Sequence, residues 1–210
     1  MKGLITFDKG KKDGRKVAIL RHGQTLLNRE DRIRGWSNIP LDDKGIEQAQ
    51  DLGIAMVEGK IELDGLITSD LLRCLQTSLE VSKMTGIPIL GTTKALRPWN
   101  VGNYTGKDGP TVHKIMVQFA KKMPNEELGG GESFNQFKFR VLAGIISLLN
   151  SNRGLKIGFV SHSRGERILH SWVAEDCNEN LDVDLDVFQA KGEEPATMQM
   201  LTIDCPLVLT

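Results

Sequence analysis

Apolar residues along the chain repeat in two periods, and the changes from one to the other outline the elements. Lys16-Val17-Ala18-Ile19-Leu20 is a short run rich in β-branched side chains, as expected of a buried central strand, and it stops at Arg21-His22-Gly23. Gln24 to Pro40 is polar and reads as a long loop. Asp42 then has the place of an N-cap, with Leu41 and Ile46 set to staple the start of a helix running to about Glu58. Asp64 to Thr68 reads as a second buried strand, and Leu71, Leu72, Leu75 and Leu79 give the following segment a helical apolar stripe. Two strand-then-helix units in succession favour a mainly parallel sheet covered by helices.

Residues 96–109 are rich in Gly, Pro, Asn and Trp and predict an irregular loop, of the kind that carries site residues. A weaker helix follows over residues 111–122, then a break at Gly129-Gly130-Gly131. Phe134, Phe137, Val141, Ile145 and Leu148 recur at helical spacing behind a capping box of Ser133 and Gln136, which predicts a helix over 133–150. Lys156 to Val160 is another apolar strand ending at Ser161-His162. Ser163 and Glu166 read as a second capping box, opening a helix through Trp172. Leu181 to Val187 alternates apolar residues with Asp182, Asp184 and Asp186, which predicts an edge strand with outward carboxylates. Met198 to Ile203 predicts a final strand.

Composition narrows the class. At 210 residues, 40% hydrophobic and 26% charged, the chain has the make-up of a globular protein, read as one domain over 1–210. No apolar run approaches the ~18 residues of a bilayer span, and the opening residues lack a signal-peptide pattern, so a cytoplasmic protein is expected. The three cysteines, Cys74, Cys177 and Cys205, have no metal or disulfide spacing and predict buried reduced thiols. The net charge is zero, but residues 1–167 carry 26 basic and 18 acidic side chains and residues 168–210 one and nine. Neutrality speaks against a general polyanion binder while leaving room for a local anion site. The basic lead-in around Lys11, Lys12, Arg15 and Lys16 contains Asp8 and Asp13 and no aromatic interleaving, and reads as a solvated terminus. Neither nucleic acid nor membrane is an expected partner, and the oligomeric state stays open.

Two histidines, His22 and His162, each lie just past a strand end, where open α/β sheets place ligands. Arg21, Arg73 and Arg164 fall close to these ends. Guanidinium groups hold phosphate bidentately and an imidazole can attack phosphorus, so the set points to phosphoryl rather than acyl chemistry. His113 and His170 have no motif around them and read as surface or satisfied polar residues.

On these residues the chain resembles the histidine phosphatase (phosphoglycerate mutase-like) superfamily. Arg21-His22-Gly23-Gln24-Thr25 with Asn28, then Arg34-Gly35-Trp36 and Leu41-Asp42 before Gly45, Glu47 and Ala49, looks like its opening signature. Thr68-Ser69-Asp70-Leu71-Leu72-Arg73 with Thr77, Gly130-Gly131-Glu132-Ser133 and Val160-Ser161-His162 resemble its later blocks, in the expected order. The resemblance implies an α/β three-layer sandwich with a mainly parallel central sheet flanked by helices. It also implies a phosphomonoesterase acting on a small phosphorylated molecule through a phosphohistidine on His22, with no metal and no cofactor. Arg21, Arg73 and His162 would hold the phosphoryl group and Asn28 would assist. Arg34, Gly35, Ser163, Arg164 and Asn100 are the further expected substrate contacts, extra cations at 34 and 164 suiting a strongly anionic substrate.

One block departs from the family's pattern. Where relatives carry a glutamate as general acid in Leu-x-Glu, with Gly four residues on, this chain reads Leu96-Arg97-Pro98-Trp99-Asn100-Val101-Gly102. Neither Pro98 nor Asn100 can donate a proton from its side chain, and losing such a donor typically costs ~10²–10⁴ in rate. Glu132 and Asp108 are the candidate replacements, Glu166 being accounted for by its cap. Trp36 and Trp99 flank the same loop and either line a pocket or pack beneath it. A phosphatase is therefore expected, with a mutase-type phosphoryl transferase and a weakly active or inactive ligand-binding member as the alternatives.

Overall fold

A computed structural model describes residues 14–189 and 194–203, together with the backbone of residues 4–6. The lead-in at Asp8, Lys11, Lys12 and Asp13, and also Cys205, lie outside the described residues. Six strands form one sheet: β1 (Leu4–Thr6), β2 (Arg15–Arg21), β3 (Gly65–Ser69), β4 (Ile89–Thr93), β5 (Ile157–Ser161) and β6 (Met198–Ile203), in the order β1-β6-β2-β5-β3-β4. Every neighbouring pair is parallel except β2 with β6. The helices are α1 (Leu26–Arg29), α2 (Asp43–Glu58), α3 (Leu72–Thr85), α4 (Gly109–Lys122), α5 (Phe134–Ser151), α6 (Ser163–Ala174) and α7 (Leu185–Gln189). No helix of the described residues is long and apolar enough to cross a membrane.

Strand side chains alternate between two cores, which makes three layers. Val17 and Ile19 of β2, Phe159 of β5 and Leu201 of β6 face a large cluster built with α4, α5, α6 and α7. Ala18, Leu20, Leu66, Val160 and Met198 face a smaller cluster with Leu52 and Met56 of α2 and Val81 of α3. Strands covered on both faces must be apolar throughout, which is why β2, β3 and β5 read as unbroken apolar runs.

Two caps form as their residues predict. Asp42 Oδ1 accepts from Gly45 N at 2.8 Å at the head of α2, and Ser133 and Gln136 close a reciprocal box on α5. The box expected of Ser163 and Glu166 does not form. His162 is the extended residue before α6, Ser163 is already helical, and its hydroxyl accepts from Arg167 Nη2 at 3.1 Å instead of capping.

The alternation of Leu181 to Val187 does not make a strand. Asp184 Oδ1 accepts from Asp186 N and Val187 N at 2.8 and 3.0 Å, capping the short helix α7, and Phe188 is driven into the larger core. A capping carboxylate thus outweighs a pattern of period two. The expected loop 24–40 contains one turn of helix, α1, closed by a box of Thr25 and Asn28. Strand β4 has no counterpart in the sequence reading: its side chains alternate only between half-buried and exposed, as befits an edge strand.

Candidate active site

Parallel pairing of β2 with β5 sets Arg21 opposite Ser161, so His22 and His162 leave the same sheet edge side by side. His22 N donates to Ser161 O at 3.1 Å, and the two rings meet edge to face with centroids 5.1 Å apart. Both histidines are buried. Strand β3, on the other side of β5, brings Ser69 and the first turn of α3 to the same edge.

The loop after His22 can lie this close only because two glycines meet. A Cβ on Gly23 would stand 2.3 Å from Gly45 O, and one on Gly45 would stand 2.0 Å from Gln24 O. The head of α2 is thereby clamped against the loop that follows His22, and Gly23 N donates to Thr77 Oγ1 of α3 at 3.1 Å.

His22 Nδ1 lies 2.7 Å from Gly23 O. A carbonyl only accepts, so the proton is on Nδ1 and Nε2 carries the lone pair. Burial holds the ring's pKa well below 6.5, with Arg73 and Arg21 acting the same way. His162 is likewise held neutral, by burial first and then by Arg73. Arg73 Nε donates to His162 Nδ1 at 3.3 Å, while its Nη1 and Nη2 donate to Ser37 O at 2.7 Å and Gly35 O at 3.0 Å. Gly35 has φ +46°, a left-handed conformation that suits glycine, and so turns its carbonyl onto Arg73. His162 Nε2 lies 3.0 Å from Ser69 Oγ.

Of the stripe expected on α3, Leu71 just before the helix is buried, but Leu72 and Leu75 are only half-buried. Arg73, Cys74, Thr77, Ser78 and Val81 point inward, and Leu79 is half exposed. The helix turns polar residues toward the sheet edge because that is where Arg73 and Thr77 find their partners. Cys74 is buried beside His162, with its thiol pushed up to about 12 by burial, so it is inert.

These residues open onto a cavity of about 300 Å³. His22, Gly35, Arg73, His162, Ser163 and Arg34 line it, as do Arg164 and Arg167. Burial, then Arg21 and Arg73, bring Arg34 down to about 10, still cationic at neutral pH. Arg21 is buried and adds to the field on His22 but does not line the cavity. Asn28 does not line it either, being occupied in the cap of α1. Asn100 also stands away from the lining: its N donates to Glu132 Oε2 at 2.9 Å and its Oδ1 accepts from Gly102 N at 3.2 Å.

Pro98 lines the cavity, and so does Trp99. Trp99 does both things expected of it, stacking on Phe137 at 5.7 Å within the core. Trp36 does not line the cavity and instead braces the loop, donating to Pro98 O at 2.8 Å beneath the guanidinium of Arg97, 4.7 Å from its ring centre. The candidate replacement acids are engaged elsewhere. Glu132 forms a two-point pair with Arg140, and Asp108 caps α4 through Thr111 N. Asp31, which no motif singled out, is the carboxylate that the cavity wall does contain among the described residues.

His113 and Arg167 are two further wall residues that sequence reasoning passed over. The one available signal was spacing: Arg164 and Arg167, three apart in a helix that starts at a histidine, share a face. His113, expected as a surface residue, accepts at Nδ1 from Arg164 Nη2 and is pushed down to about 4 by burial and then by Arg164 and Arg167.

Fold and site together define a class: a three-layer α/β protein with paired neutral histidines in an arginine-rich cavity at the carboxyl edge of a parallel sheet. Residues 17–185 match the histidine phosphatase superfamily (branch 1), and the chain belongs to that superfamily. It is 32% identical over 154 residues, 70% of this chain and 69% of the other, to the probable phosphoglycerate mutase GpmB of Yersinia pestis (strain Pestoides F). It is 24% identical to the phosphoglycerate mutase-like protein 4 of Arabidopsis thaliana, covering 92% and 87% of the two chains. The solved structure of Bacillus stearothermophilus YhfR superposes with a TM-score of 0.71 at 25% identity, covering 88% of this chain and 89% of that one. A mycobacterial glucosyl-3-phosphoglycerate phosphatase complexed with VO3 superposes at 0.70 and 21% identity, covering 89% and 92%, which supports the fold.

Proposed function

We propose that the chain, read as one histidine phosphatase domain, hydrolyses a small phosphomonoester through a phosphohistidine on His22. The observation that carries this reading is the state of His22: a buried neutral imidazole, its proton tied to Gly23 O, its Nε2 without a hydrogen bond among the described residues, in a cavity walled by arginines. Such a nitrogen is a nucleophile at neutral pH, and fixed cations stabilise the equatorial oxygens of a phosphoryl group in flight. Nε2 would bond to phosphorus as the ester P–O bond breaks. Water would then take the phosphoryl group from His22, releasing inorganic phosphate. Arg73 and His162 are the expected phosphoryl contacts, with Arg21 adding charge from beside His22. Arg73 is spanned between the Ser37 and Gly35 carbonyls, which fixes the plane of its guanidinium.

The leaving oxygen has no proton donor at Pro98, so its departure is the hard step, and substrates with good leaving groups would turn over fastest. This same feature favours the ligand-binding reading as the second one, in which the phosphoester is held and cleaved slowly. Incubation with a labelled phosphoryl donor tests both. The expected result is an acid-labile label that survives EDTA and is absent from His22→Ala. A label retained in that variant would overturn the assignment, and tight binding with neither label nor phosphate release would favour the binder.

A further inference from the structure

The end of β3 and the first turn of α3 set three polar side chains around His162. Arg73 Nε lies 3.3 Å from its Nδ1 and Ser69 Oγ 3.0 Å from its Nε2. Cys74 Sγ is nearer to Nε2, at 3.4 Å, than to Nδ1, at 3.8 Å. All four residues are buried, so the protein itself has to satisfy every donor among them.

The direction of these bonds is forced. A guanidinium has no acceptor, so Arg73 Nε donates and His162 Nδ1 carries a lone pair. The ring is held neutral by burial and by Arg73, and its one proton is therefore on Nε2. Both groups facing Nε2 are arranged to accept. The Cys74 thiol gives its proton to Ser161 O at 3.4 Å, which leaves the sulfur lone pairs for its other neighbours, and Ser69 hydrogen-bonds to that thiol. Ser161 O also accepts from His22 N at 3.1 Å, so the chain that begins at Arg73 ends beside the backbone of His22. The two histidines thus hold opposite tautomers, His22 with Nδ1–H against Gly23 O and His162 with Nε2–H. The other tautomer of His162 would set a ring N–H against the N–H of Arg73. Arg73 would then lose one of three acceptors, Ser37 O and Gly35 O being the other two.

We propose that Ser69 and Cys74 are positioning residues: they lock His162 as its Nε2–H tautomer and thereby hold Arg73 in the geometry in which it meets a phosphoryl group. The effect on turnover rests on the phosphatase reading; the tautomer does not.

The chain has four histidines, so a long-range proton–nitrogen correlation of the imidazole rings at pH 8 gives four patterns, assigned by single His→Gln variants. The expected result is His162 with its proton on Nε2 and His22 with its proton on Nδ1. A His162 proton on Nδ1, or an even mixture, overturns the lock in the unaltered protein, whatever the variants do. Ser69→Ala/Cys74→Ala removes both acceptors. It is expected to lose the pure pattern and to lower kcat/KM for p-nitrophenyl phosphate, and affinity for inorganic phosphate in calorimetry, about tenfold, the size of one hydrogen bond. Ser69→Ala/Cys74→Ser differs from it by one oxygen and should restore the pattern and most of the rate, which a merely space-filling role would not do. If Ser69→Ala/Cys74→Ala does not fold, Ser69→Ala alone carries the comparison, with an expected loss of about threefold. Folded variants that keep both the His162 pattern and the phosphate affinity overturn the proposal. A locked His162 whose variants bind phosphate more weakly, in a protein that releases none from esters, removes the phosphatase reading and keeps the lock. Release from a protein whose His162 holds its proton on Nδ1 does the reverse.

Discussion

Pro98 is the residue that, on the proposed mechanism, leaves the departing oxygen without a proton donor. Its carbonyl is held by Trp36 Nε1 and by Arg140 Nη2, and its ring lies on the cavity wall. A glutamate there would keep both carbonyl bonds, which are made by the backbone, and place a carboxyl group beside the leaving oxygen. Pro98→Glu is therefore expected to raise kcat on alkyl phosphates by about 10²-fold, and much less on p-nitrophenyl phosphate, whose leaving group needs no proton. Asn100→Asp, the substitution that the sequence would suggest first, is expected to change either rate less than about threefold by the same reasoning, because Asn100 faces Gly102 and Glu132 and not the cavity. Steady-state kinetics on the two substrates check both statements. At this scale residue type pointed to His22, Arg73 and His162, and the fold brings all three to one cavity. The sequence was silent where position decides: Asp31 and His113 look like any surface residues until the fold brings them to one wall.

Among the elements, the segment from Lys94 to Asn100 depends on a side chain of α5. Arg140 Nη1 donates to the carbonyls of Lys94, Ala95 and Arg97, Nη2 donates to Pro98 O, and Nε and Nη2 pair with Glu132. Glu132 in turn accepts from Asn100 N, which ties the glycine turn to the same loop. Arg140→Met keeps the apolar stem and removes every donor. It is expected to cost ~2–4 kcal/mol of stability in urea melts and to raise KM for a small phosphoester, because the Pro98 wall is released. Arg140→Lys should recover little, since one ammonium cannot span the carbonyls and the carboxylate together. The two misread elements teach the same lesson. Asp184 looked like a solvent-facing strand residue and is a cap, and the leucines of α3 looked like its buried face while the buried face holds Arg73 and Thr77. Periodicity reports burial in an apolar core, and both segments are organised by polar partners.

For the whole molecule, the pH dependence of stability follows from its buried and half-buried histidines. His22, His162, His113 and His170 all have folded pKa values below 6.5, with burial the first cause in each. Above 6.5 both folded and unfolded states hold them neutral and they contribute no slope. Below 6.5 the unfolded chain binds protons that the folded chain refuses, so stability falls as the pH is lowered toward the folded values. Asp70, lowered by its bond to Arg97, adds to the loss only below its ordinary value of 3.8. Urea midpoints should thus be level from pH 8 to 7 and drop steadily from 6.5 to 5. His162→Asn should flatten that drop, and an unchanged slope in the variant would assign it elsewhere.

The zero net charge has the same whole-molecule character. It is a sum over a cationic cavity and an acidic C-terminal part, of which Asp184 is spent on a helix cap. The sequence alone determined the strands buried on both faces, the caps of α2 and α5, and the residues at three strand ends, because each is a local match between residue type and backbone. Only the tertiary structure decided that β2, β5 and β3 lie side by side, that Pro98 rather than Asn100 meets the cavity, and that His113 and Arg167 join Arg164 there. Those facts depend on which distant segments share a sheet edge, and no local pattern encodes that choice.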